Sequence, residues 1–514
     1  MSREIDSRRL RRLNRQEERN GSYVAYWMQR SQRARHNHAL EYAVAAANDR
    51  GLPVVVFFAL TDAYPEAQER HYRFMLEGLS NVRRDLESRG IPFFVFRGDP
   101  REVATAVARE ARILVCDRAY LRHLREWRRS VAEAAPCPVF EVESDVVVPL
   151  EQASRKREFA ARTIRRKIMS QVDEYLVLPE EAAPHHHLDA EVAGRLAARS
   201  LDVSDPTEAC NALNIDRSVR EVSRFFRGGT DEGMRLANEL FARRLDRYAK
   251  NRNQPKTDDT SHAGMYLHFG QISPIWLVQE ARRHASGAGD AETDTGAGSA
   301  VAESIDSFVE ELVVRRELAH NYVFYEPRYD QYDALPPWAL TTLSEHAADD
   351  RPYLYGRDQL EAADTHDAYW NAAMQEMLTT GYMHNYMRMY WGKKILEWSP
   401  SPKEGFETAL YLNNRYFLDG RDPNSYANVA WIFGLHDRPW QERPIFGKVR
   451  IMKASGLERK CDMAGYLEKV RRLTDAAAAH AAAADTDTAA GDPGTAGGAA
   501  ATGGSGDQGS LFEE

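Results

Sequence analysis

Three tryptophans in the C-terminal half of the chain stand at spacings that would suit electron transfer between side chains. Trp391 and Trp398 are seven residues apart, so on a helix they return to nearly the same face, about 10 Å along the axis. Trp370 precedes Trp391 by 21 residues, and Gly381 between them predicts a bend or a break. Indoles in van der Waals contact can pass an electron to an excited acceptor. Aromatic residues at this spacing are more commonly core packing, and the spacing alone favours that interpretation.

A second group of polar residues lies between apolar stretches in the segment 411–434, where Gly420 and Pro423 predict turns. The amide, carboxylate and guanidinium groups of this segment belong to Asn413, Asn414, Arg415, Asp419, Arg421, Asp422 and Asn424. These groups could form hydrogen bonds with a ligand that carries ring nitrogens and carbonyl groups. A turn between helices that is held by its own hydrogen bonds would use the same residues, and the sequence leaves both interpretations open.

The segment 248–274 combines hydroxyl groups and positive charge ahead of a predicted helix start. The groups belong to Tyr248, Lys250, Arg252, Lys256, Thr257, Thr260 and Ser261. Backbone amides at a helix N-terminus with hydroxyls nearby can hold a phosphate. The spacing does not match the GxxxxGKS or GxxxxGKT pattern, so the segment is not a P-loop. An ordinary helix cap by Thr260 or Ser261 is the interpretation that these residues favour when taken alone.

A further candidate lies at 306–320, where acidic and basic residues alternate on a predicted helix. Glu311 and Arg315 are four residues apart, the spacing of a surface ion pair worth a few tenths of a kcal/mol. Taken alone, this pattern favours a surface ion pair over a catalytic carboxylate.

The elements that would position these groups begin with an α/β region. Helical stretches such as 31–50 and 66–89 alternate with five apolar runs at 22–28, 53–60, 92–97, 112–117 and 139–144. Strands that are apolar on both faces and separated by helices predict a parallel sheet covered on both sides. We therefore expect a doubly wound α/β domain of about five strands. No GxGxxG follows the first strand, so the standard dinucleotide fingerprint is absent.

The region after the α/β domain is predicted to be all-α, because stretches such as 231–251, 303–323 and 366–398 have helical periodicity. The histidine run 185–187 is interpreted as exposed linker rather than as a metal site. Low-complexity sequence predicts flexible or disordered chain in two places. The predicted division is an N-terminal arm at 1–20, the α/β domain at 21–150, a linker at 151–215, the helical domain at 216–472 with a flexible insertion at 286–300, and a disordered tail at 473–514.

Composition limits the classes of protein to which the chain can belong. Its 514 residues are more than a single hydrophobic core usually supports, so we expect two domains. The net charge of −9 gives no global attraction to a polyanion, although a local basic groove is compatible with it. The four cysteines form no CxxC pair, so we expect no zinc site and a reduced chain. With no signal peptide and no apolar run near the roughly 20 residues of a membrane span, we expect a soluble cytoplasmic protein.

Together the four candidate segments resemble one family, the class II cyclobutane pyrimidine dimer DNA photolyases of the photolyase/cryptochrome group. The resemblance covers about 14–472. It rests on WMQRSQRARHNHAL (27–40), YLHFGQISP (266–274), EELVVRREL (310–318), DAYWNAAMQEMLTTGYMHNYMRMYWGKKILEW (367–398) and LDGRDPNSYANVAWIFGLHDRPW (418–440). The last two motifs are long and specific, and they distinguish class II from class I photolyases and animal cryptochromes.

The resemblance implies an α/β antenna domain followed by a helical domain that binds FAD, with the fully reduced flavin as the active form. It implies UV-damaged DNA as the partner, with the lesion flipped out of the duplex. An electron from the excited cofactor would split the cyclobutane ring and then return. An antenna chromophore, a deazaflavin or a folate, accompanies the flavin in relatives. We expect a monomer.

The resemblance also implies roles for residues at matching positions. Tyr248 and Ser261 would contact the FAD phosphates, and Asn413 would lie near flavin N5. Arg388 and Asp419 would form an acid–arginine pair beside the flavin ring. Asp422 is predicted to bind the cofactor as well. Trp391, Trp370 and Trp398 would form a photoreduction chain, in that order from the flavin.

Three residues are expected to contact the lesion or the DNA around it. Glu311 would hydrogen-bond the dimer and stabilise its radical anion, with Glu310 the less favoured choice. Trp431 would pack against the flipped lesion, and Arg450 would belong to the loop that fills the gap left by the bases. A positively charged rim would contact the DNA phosphates, and its candidates are Arg252, Lys256, Arg443, Lys448, Arg450 and Lys453.

One departure from the family pattern falls in the predicted phosphate site. Where relatives commonly read Ser-Asn-Leu-Ser-Pro-Tyr, this chain has Ser261-His262-Ala263-Gly264-Met265-Tyr266. The second serine is lost, and with it one phosphate-binding hydroxyl, although the backbone amide of Gly264 remains.

Two alternatives to repair use the same cofactor. A cryptochrome-like photoreceptor would share the flavin and the tryptophans, but it would not need Glu311 and Trp431, so their presence favours repair. A flavin-binding module without photochemistry is disfavoured by the complete set of three tryptophans.

Overall fold

The computed structural model describes residues 5–288 and 297–490, which form an α/β region followed by a helical region. The sheet has the strand order β1-β6-β5-β2-β3-β4. All neighbouring pairs are parallel except β1 and β6. The strands are β1 Leu10–Arg12, β2 Tyr23–Met28, β3 Val54–Leu60, β4 Phe93–Arg97, β5 Ala111–Asp117 and β6 Val139–Val142.

Four helices follow the strands of this sheet: α1 His38–Asp49, α2 Glu69–Ser88, α3 Pro100–Ala108 and α4 Arg122–Ala134. β2 and β3 are buried along their whole length, because each face of the sheet packs against its own apolar cluster. The Asn37 side chain caps α1 by accepting from the Ala39 and Leu40 amides. The chain winds outward in both directions from β2 and β5, which confirms the predicted doubly wound sheet.

The structure has one strand more than the sequence predicts. Residues 1–20 were expected to form a separate arm, but β1 pairs antiparallel with β6, with Leu10 opposite Val142. The strand is mostly exposed, so it has no apolar pattern to reveal it. Its contribution is backbone hydrogen bonding, which covers the otherwise open edge of the sheet.

The predicted linker contains short helices, α5 Leu150–Ala153, α6 Ala161–Met169, α7 Val172–Tyr175, α8 Ala190–Ala197 and α9 Pro206–Asn211. The helical region then begins with α10 Thr230–Arg243, α11 Leu245–Asn251, α12 Ala263–His268, α13 Pro274–Ala288 and α14 Ala297–Val309. A π-helix, Glu310–Arg315, joins α14 to α15 Arg316–Tyr325. Such π turns within helices occur often at functional sites.

The remaining helices are α16 Pro337–Glu345, α17 Arg357–Glu361, α18 Ala368–Thr380, α19 Asn385–Trp398, α20 Pro402–Tyr416, α21 Pro423–Ile432, α22 Ala454–Lys460 and α23 Met463–Ala490. α18 ends at Gly381, whose φ of +72° is the left-handed cap that glycine adopts without strain. The chain therefore breaks at this residue, and α18 and α19 pack against each other instead of continuing as one helix.

The predicted tail and insertion are only partly described. α23 continues through Ala490, so the prediction that the chain is disordered from 473 is wrong for 473–490. The segment is rich in alanine, which lowers sequence complexity but is also the best helix former. Residues 491–514 lie outside the described residues. Of the predicted insertion at 286–300, α13 reaches Ala288 and α14 begins at Ala297, and 289–296 lie outside the described residues.

Buried charged side chains join the α/β region to the helical region. The Asp145 carboxylate is 2.8 Å from both Arg30 and Arg316. Burial alone would raise the pKa of Asp145, but these two guanidinium groups hold it well below its usual range. Arg70, on α2, donates to the Met377 and Tyr416 carbonyls at 3.1 and 2.8 Å. These contacts fix the helices of the candidate site against the sheet.

Within the described ranges, no helix is long and apolar enough to cross a membrane.

Candidate functional site

Arg388 and Asp419 form a charged pair at the centre of the candidate site. Arg388 lies in the first turns of α19, and Asp419 lies between α20 and α21. The Nη1 atom of Arg388 is 2.9 Å from Oδ1 and 3.0 Å from Oδ2 of Asp419. Its Nε atom donates to the Met383 carbonyl at 2.9 Å, which fixes the guanidinium plane. The two side chains remain 22% and 21% exposed, so a ligand can reach the pair.

Two neighbouring asparagines lie near the end of α20, inside the protein. Asn413 Nδ2 donates to Asn414 Oδ1 at 3.1 Å. The same Asn414 oxygen accepts from the Arg421 amide at 3.0 Å, and Asn414 Nδ2 donates to Glu66 at 2.6 Å. Asn414 therefore holds the turn together. Asn413, which is 6% exposed, has an Oδ1 atom that accepts no hydrogen bond in the described part of the chain and could serve a ligand.

The three tryptophans are buried next to one another. Trp370 Nε1 donates to the Trp391 carbonyl at 3.0 Å, and the Trp370 and Trp398 ring centroids are 5.7 Å apart. Trp398 contacts Tyr355 and His366, with centroid distances of 5.4 and 5.2 Å. The order of contacts along this path is thus Trp391, Trp370, Trp398.

Phe417 connects the charged pair to this tryptophan path. The Arg388 guanidinium carbon lies 4.0 Å from the Phe417 ring centroid. The same ring meets Trp391 edge-on at 6.1 Å. A group bound at Arg388 and Asp419 would therefore be one aromatic ring away from Trp391. Sequence reasoning missed Phe417 because no motif marks an aromatic residue that connects two others.

The predicted phosphate residues lie in two places. Tyr248 is buried on α11, with its ring 5.8 Å from the Phe308 ring. Burial is the main cause that raises the pKa of its hydroxyl, and the charge of Glu311 adds to the shift. Ser261 precedes α12, and its Oγ accepts from the Ala263 amide at 3.3 Å. That contact is a local turn before the helix, whose cap position is His262 and has no side-chain cap hydrogen bond. A phosphate role for either residue stays a prediction.

The surroundings of α12 fit a bound dinucleotide such as FAD. A Cβ atom on Gly264 would lie 2.9 Å from Asp419 Oδ2, so the start of α12 touches the charged pair. Within the described residues, the buried atoms His262 Nδ1 and His384 Nε2 have no hydrogen-bond partner. Because buried polar atoms normally find a protein, water or ligand partner, these two atoms are available to a polar group bound here. The sequence carried no signal for His384.

Glu311 lies in the π-helix between two guanidinium groups. Arg252 Nη1 donates to Glu311 Oε1 at 3.0 Å, and Arg315 Nε is 3.2 Å from the same oxygen. The neighbouring Glu310 is bound by Arg165 in a two-point contact at 2.8 and 2.5 Å. Both oxygens of Glu310 are thus occupied by Arg165, and Arg315 Nε lies 3.4 Å from its Oε1 as well, whereas both contacts of Glu311 fall on Oε1.

Trp431 is half-buried on α21 and packs against a buried lysine. The Nζ atom of Lys393 lies 4.9 Å from the Trp431 ring centroid and donates to the Ile432 carbonyl. Burial, together with Arg450, lowers the pKa of Lys393 to about 7, while Asp437 opposes the shift. Sequence reasoning missed Lys393 because lysine is rarely fully buried.

Asp422 lies in a different environment from the other predicted cofactor residues. Its Oδ2 atom is 3.3 Å from His268 Nδ1 and 3.4 Å from Arg30 Nη2, and its Oδ1 accepts from the Asn424 amide to cap α21. Burial raises its pKa, but the hydrogen bond to His268 and the charge of Arg30 keep it well below the usual range. The structure therefore gives Asp422 contacts to the α/β region.

The six predicted phosphate-contacting cations divide into two groups. Three of them pair with carboxylates at 4.0 Å or less, as Arg252–Glu311, Lys256–Asp462 and Lys448–Glu442. Arg443, Arg450 and Lys453 form no ion pair within the described residues. Arg450 lies 5.1 Å from the ring centroid of Trp440, an indole that is 41% exposed. These three residues are the stronger candidates for contact with DNA.

A pocket opens at the carboxyl end of the parallel strands. Its walls come from the ends of β2 and β3, from α4 and from the helical region, and include Gln29, Arg30, Leu60, Tyr64, Trp127 and Arg421. In doubly wound sheets, ligands bind at this edge, where the strand order reverses. The pocket is therefore a candidate for a second ligand site, apart from the Arg388–Asp419 pair.

Comparison with known proteins identifies the family. Residues 24–185 match the family model described as DNA photolyase. A deoxyribodipyrimidine photo-lyase of Methanothermobacter thermautotrophicus is 44% identical over 92% of this chain and 100% of its own length. One from Potorous tridactylus is 40% identical over 87% of this chain and 80% of its own. A class III photolyase structure from Agrobacterium tumefaciens has a TM-score of 0.64 at 17% identity, covering 89% and 87% of the two chains, and supports the fold alone.

The sheet, the helical region with its tryptophan path, and identity of this level over nearly the whole chain lead to one conclusion. The chain belongs to the DNA photolyase family.

Proposed function

We propose that this chain is a class II cyclobutane pyrimidine dimer photolyase, which repairs UV-damaged DNA with light. The observation that favours repair is Glu311, whose two arginine contacts both fall on Oε1. The observation that favours a light-driven cofactor is the continuous path from the Arg388–Asp419 pair through Phe417 to Trp391 and the other two tryptophans. Such a path connects a buried redox cofactor with the surface, as a light-driven electron-transfer enzyme requires.

The cofactor is FAD, which when bound and reduced supplies the photoexcited electron that splits the cyclobutane ring. Arg388 and Asp419 would hold the flavin ring, and the fixed guanidinium plane would set its orientation. Asn413 would present its free amide oxygen to the ring edge. The electron would come from the cofactor, and the contribution of the protein would be to hold the cofactor in position.

The tryptophans have a separate role in this proposal. Trp391, Trp370 and Trp398 would carry an electron inward to restore the reduced cofactor. Their burial excludes water from the path, and the indole of Trp398 reaches the outside through Tyr355 and His366. Repair itself would not use this path.

Glu311 and Trp431 would receive the flipped lesion. Glu311 would contact the dimer through Oε2, because its two arginine contacts fall on Oε1. Trp431 would offer an aromatic face for stacking, which offsets part of the cost of removing the bases from the duplex. Arg450, with Arg443 and Lys453, would hold the DNA around the gap.

The pocket at the carboxyl end of the sheet is our candidate for an antenna chromophore. Its wall combines the aromatic groups of Tyr64 and Trp127 with the polar groups of Gln29, Arg30 and Arg421. A flat, polar-edged chromophore such as a deazaflavin suits such a lining. We further propose that the protein acts as a monomer in the cytoplasm.

The test is repair of a defined lesion. The protein is loaded with FAD, reduced, and mixed with an oligonucleotide that contains one cyclobutane thymine dimer, and intact thymine is measured by chromatography after blue light and in darkness. We expect repair only in light, and none with an oligonucleotide that carries a 6-4 photoproduct. Light-driven flavin reduction without any repair would overturn the proposal and favour a cryptochrome-like photoreceptor.

A further inference from the structure

The segment 155–169, which contains α6, concentrates positive charge that the proposed function does not use. Seven of its residues are lysine or arginine and only Glu158 is acidic, in a chain whose net charge is −9. Three of the seven pair with carboxylates, as Arg157–Glu326, Arg165–Glu310 and Lys167–Glu158. The other four are exposed and form no ion pair within the described residues: Arg155, Lys156, Arg162 and Arg166. This part of the surface therefore carries an uncompensated positive charge.

Two of these cations share one face of α6 with exposed apolar side chains. The helix buries its opposite face in the core, and Arg162 and Arg166 stand one turn apart on the outside. Phe159, three residues before Arg162, is 56% exposed, and Met169, three residues after Arg166, is 40% exposed. Because like charges at this spacing destabilise a helix slightly, the stability of α6 does not explain the arrangement. The pattern indicates a surface that binds a partner.

α6 lies beside the residue proposed to contact the lesion. Arg165 binds both oxygens of Glu310, at 2.8 and 2.5 Å. Glu310 begins the π-helix, and Glu311 is the next residue along it. The two-point contact therefore fixes α6 against the element that carries Glu311.

The chain just before α6 is also in contact with the second part of the proposed lesion site. The Arg157 guanidinium carbon lies 5.2 Å from the Tyr322 ring centroid. The Tyr322 ring meets His436 edge-on at 5.8 Å, and His436 follows α21, the helix of Trp431, by four residues. The surface around α6 thus borders the elements that carry both residues proposed to receive the lesion.

The chemistry of this surface matches the backbone of a nucleic acid. Guanidinium groups bind phosphate oxygens through two parallel hydrogen bonds, and the deoxyribose rings between phosphates offer apolar contact to Phe159 and Met169. Arg162 and Arg166 are about 6 Å apart along the helix axis, which is about two base-pair steps of a duplex. Anionic lipid would offer similar chemistry, but the contact of α6 with the element of Glu311 favours DNA.

On the basis of the proposed function, we infer that the exposed face of 155–169 is a second DNA-binding surface, which holds the phosphates of the duplex beside the lesion. Arg162 and Arg166 each bind a phosphate, and Arg155 and Lys156 add to the attraction. Contacts to phosphate carry no information about the bases, so recognition of the lesion stays with the π-helix and α21.

The first test measures how DNA binding depends on salt. Kd values from 50 to 200 mM salt are obtained by fluorescence anisotropy for wild type, Arg162→Ala, Arg166→Ala and the double variant, with a duplex that carries one thymine dimer and with its undamaged counterpart. Loss of one phosphate contact should reduce the rise of Kd over this range by about 3.5-fold, a change of about 0.9 in slope. The change should be the same for both duplexes.

Two further variants separate charge from other effects of substitution. Arg162→Lys keeps the charge and should keep the wild-type slope. Arg129→Ala is the matched control, because Arg129 is likewise an exposed helical arginine, on α4, and forms no ion pair in the part of the chain that the structure describes. It should leave the slope unchanged.

The second test measures proximity directly. In Arg162→Cys the new thiol is exposed, whereas the four native cysteines are buried. Duplexes with one thymine dimer carry a thiol-reactive tether on successive phosphates at either side of the dimer. A crosslink is expected at a small group of neighbouring positions, and none with Arg129→Cys.

The possible results distinguish this inference from the proposed function. Wild-type salt slopes in the double variant, or no crosslink at any tether position, would overturn the inference and leave the repair proposal intact. Binding to phosphatidylserine vesicles that the double variant loses, with unchanged slopes for DNA, would overturn it in favour of a lipid surface. A wild-type protein that repairs no dimer in light would instead remove the proposed function, while the slopes and crosslinks would still report contact with DNA.

Discussion

A substitution of the single residue Trp391 should distinguish restoration of the reduced cofactor from repair of the lesion. In Trp391→Phe the aromatic packing against Phe417 is largely kept, but the first indole of the path is lost. We expect light-driven reduction of oxidised FAD to slow at least about tenfold, which is about 1.4 kcal/mol on the barrier. Repair by chemically reduced protein should stay near wild type. Flash absorption and repair assays check both, with Trp276→Phe as a control for a buried tryptophan away from the path.

Glu311 and Glu310 are neighbours with different environments, which makes them a matched pair. Glu311→Ala should lower the repair yield per absorbed photon at least about tenfold, because a hydrogen bond to a charged group is lost. FAD content should not change. Glu310→Ala should instead release Arg165 and reduce stability with little effect on yield. Equal yields in the two variants would contradict the assignment of Glu311.

Lys393 predicts how stability depends on pH. Its pKa is lowered from 10.5 to about 7 in the folded protein, so between these values the unfolded chain holds a proton that the folded chain lacks. The free energy of unfolding must therefore rise with pH in this window, by up to about 1.4 kcal/mol per pH unit. Urea unfolding from pH 7 to 10 checks this.

The rise should be lost in Lys393→Met and kept in Lys394→Met, because the partly buried Lys394 pairs with Glu397 on the same helix. Parallel pH curves for wild type and Lys393→Met would show that the buried amine does not titrate in this range.

At the scale of residues, the sequence predicted the participants better than their contacts. Arg388 and Asp419 are separated by 31 positions, and two different motifs, 367–398 and 418–440, identified them. Phe417, Lys393 and His384 could not be found in this way, because their roles depend on burial and on the direction of a ring, which no local pattern records. For Asp422, a motif predicted contact with the cofactor. What the motif could not predict is that this side chain also contacts Arg30 of the α/β region.

Gly381 controls how two helices meet. Its positive φ costs a residue with a side chain about 1–2 kcal/mol, and a Cβ there would lie 2.8 Å from Leu418 Cγ. We expect Gly381→Ala to lower the thermal midpoint by several degrees and to slow photoreduction, because α18 and α19 carry Trp370 and Trp391.

The matched control is Gly194→Ala in α8, where a Cβ meets nothing within 4 Å. This change should raise stability by up to about 1 kcal/mol, because alanine is the better helix former. If both substitutions had the same effect on the midpoint, the left-handed cap would not be important.

Elements with strong periodicity were predictable, and their exceptions have physical causes. The five predicted strands agree with β2–β6 to within two residues, because buried parallel strands are continuous apolar runs. β1 was missed because an exposed edge strand is held by backbone hydrogen bonds. Its sequence therefore needs no apolar pattern. The helical extension to Ala490 was missed because alanine-rich sequence indicates both low complexity and helix.

At the scale of the whole molecule, DNA binding must overcome a net charge of −9. Affinity should therefore come from the unpaired cations around Arg450 and fall steeply with salt, each phosphate contact adding about −0.9 to the slope of log K against log salt. Arg450→Ala should make the slope shallower by about one contact. Arg101→Ala, in the α/β region, should leave it unchanged. Fluorescence anisotropy from 50 to 200 mM salt checks this, and a flat response would contradict a basic rim.

The contacts of Asp422 have a consequence for the capture of light. This one carboxylate caps the helix that carries Trp431 and also binds Arg30, which lines the pocket at the sheet edge. A chromophore seated in that pocket would be held at a constant separation and angle from the flavin. The coupling of their transition dipoles would then be the same in every molecule, so excitation could pass between them without any hinge or docking motion beforehand.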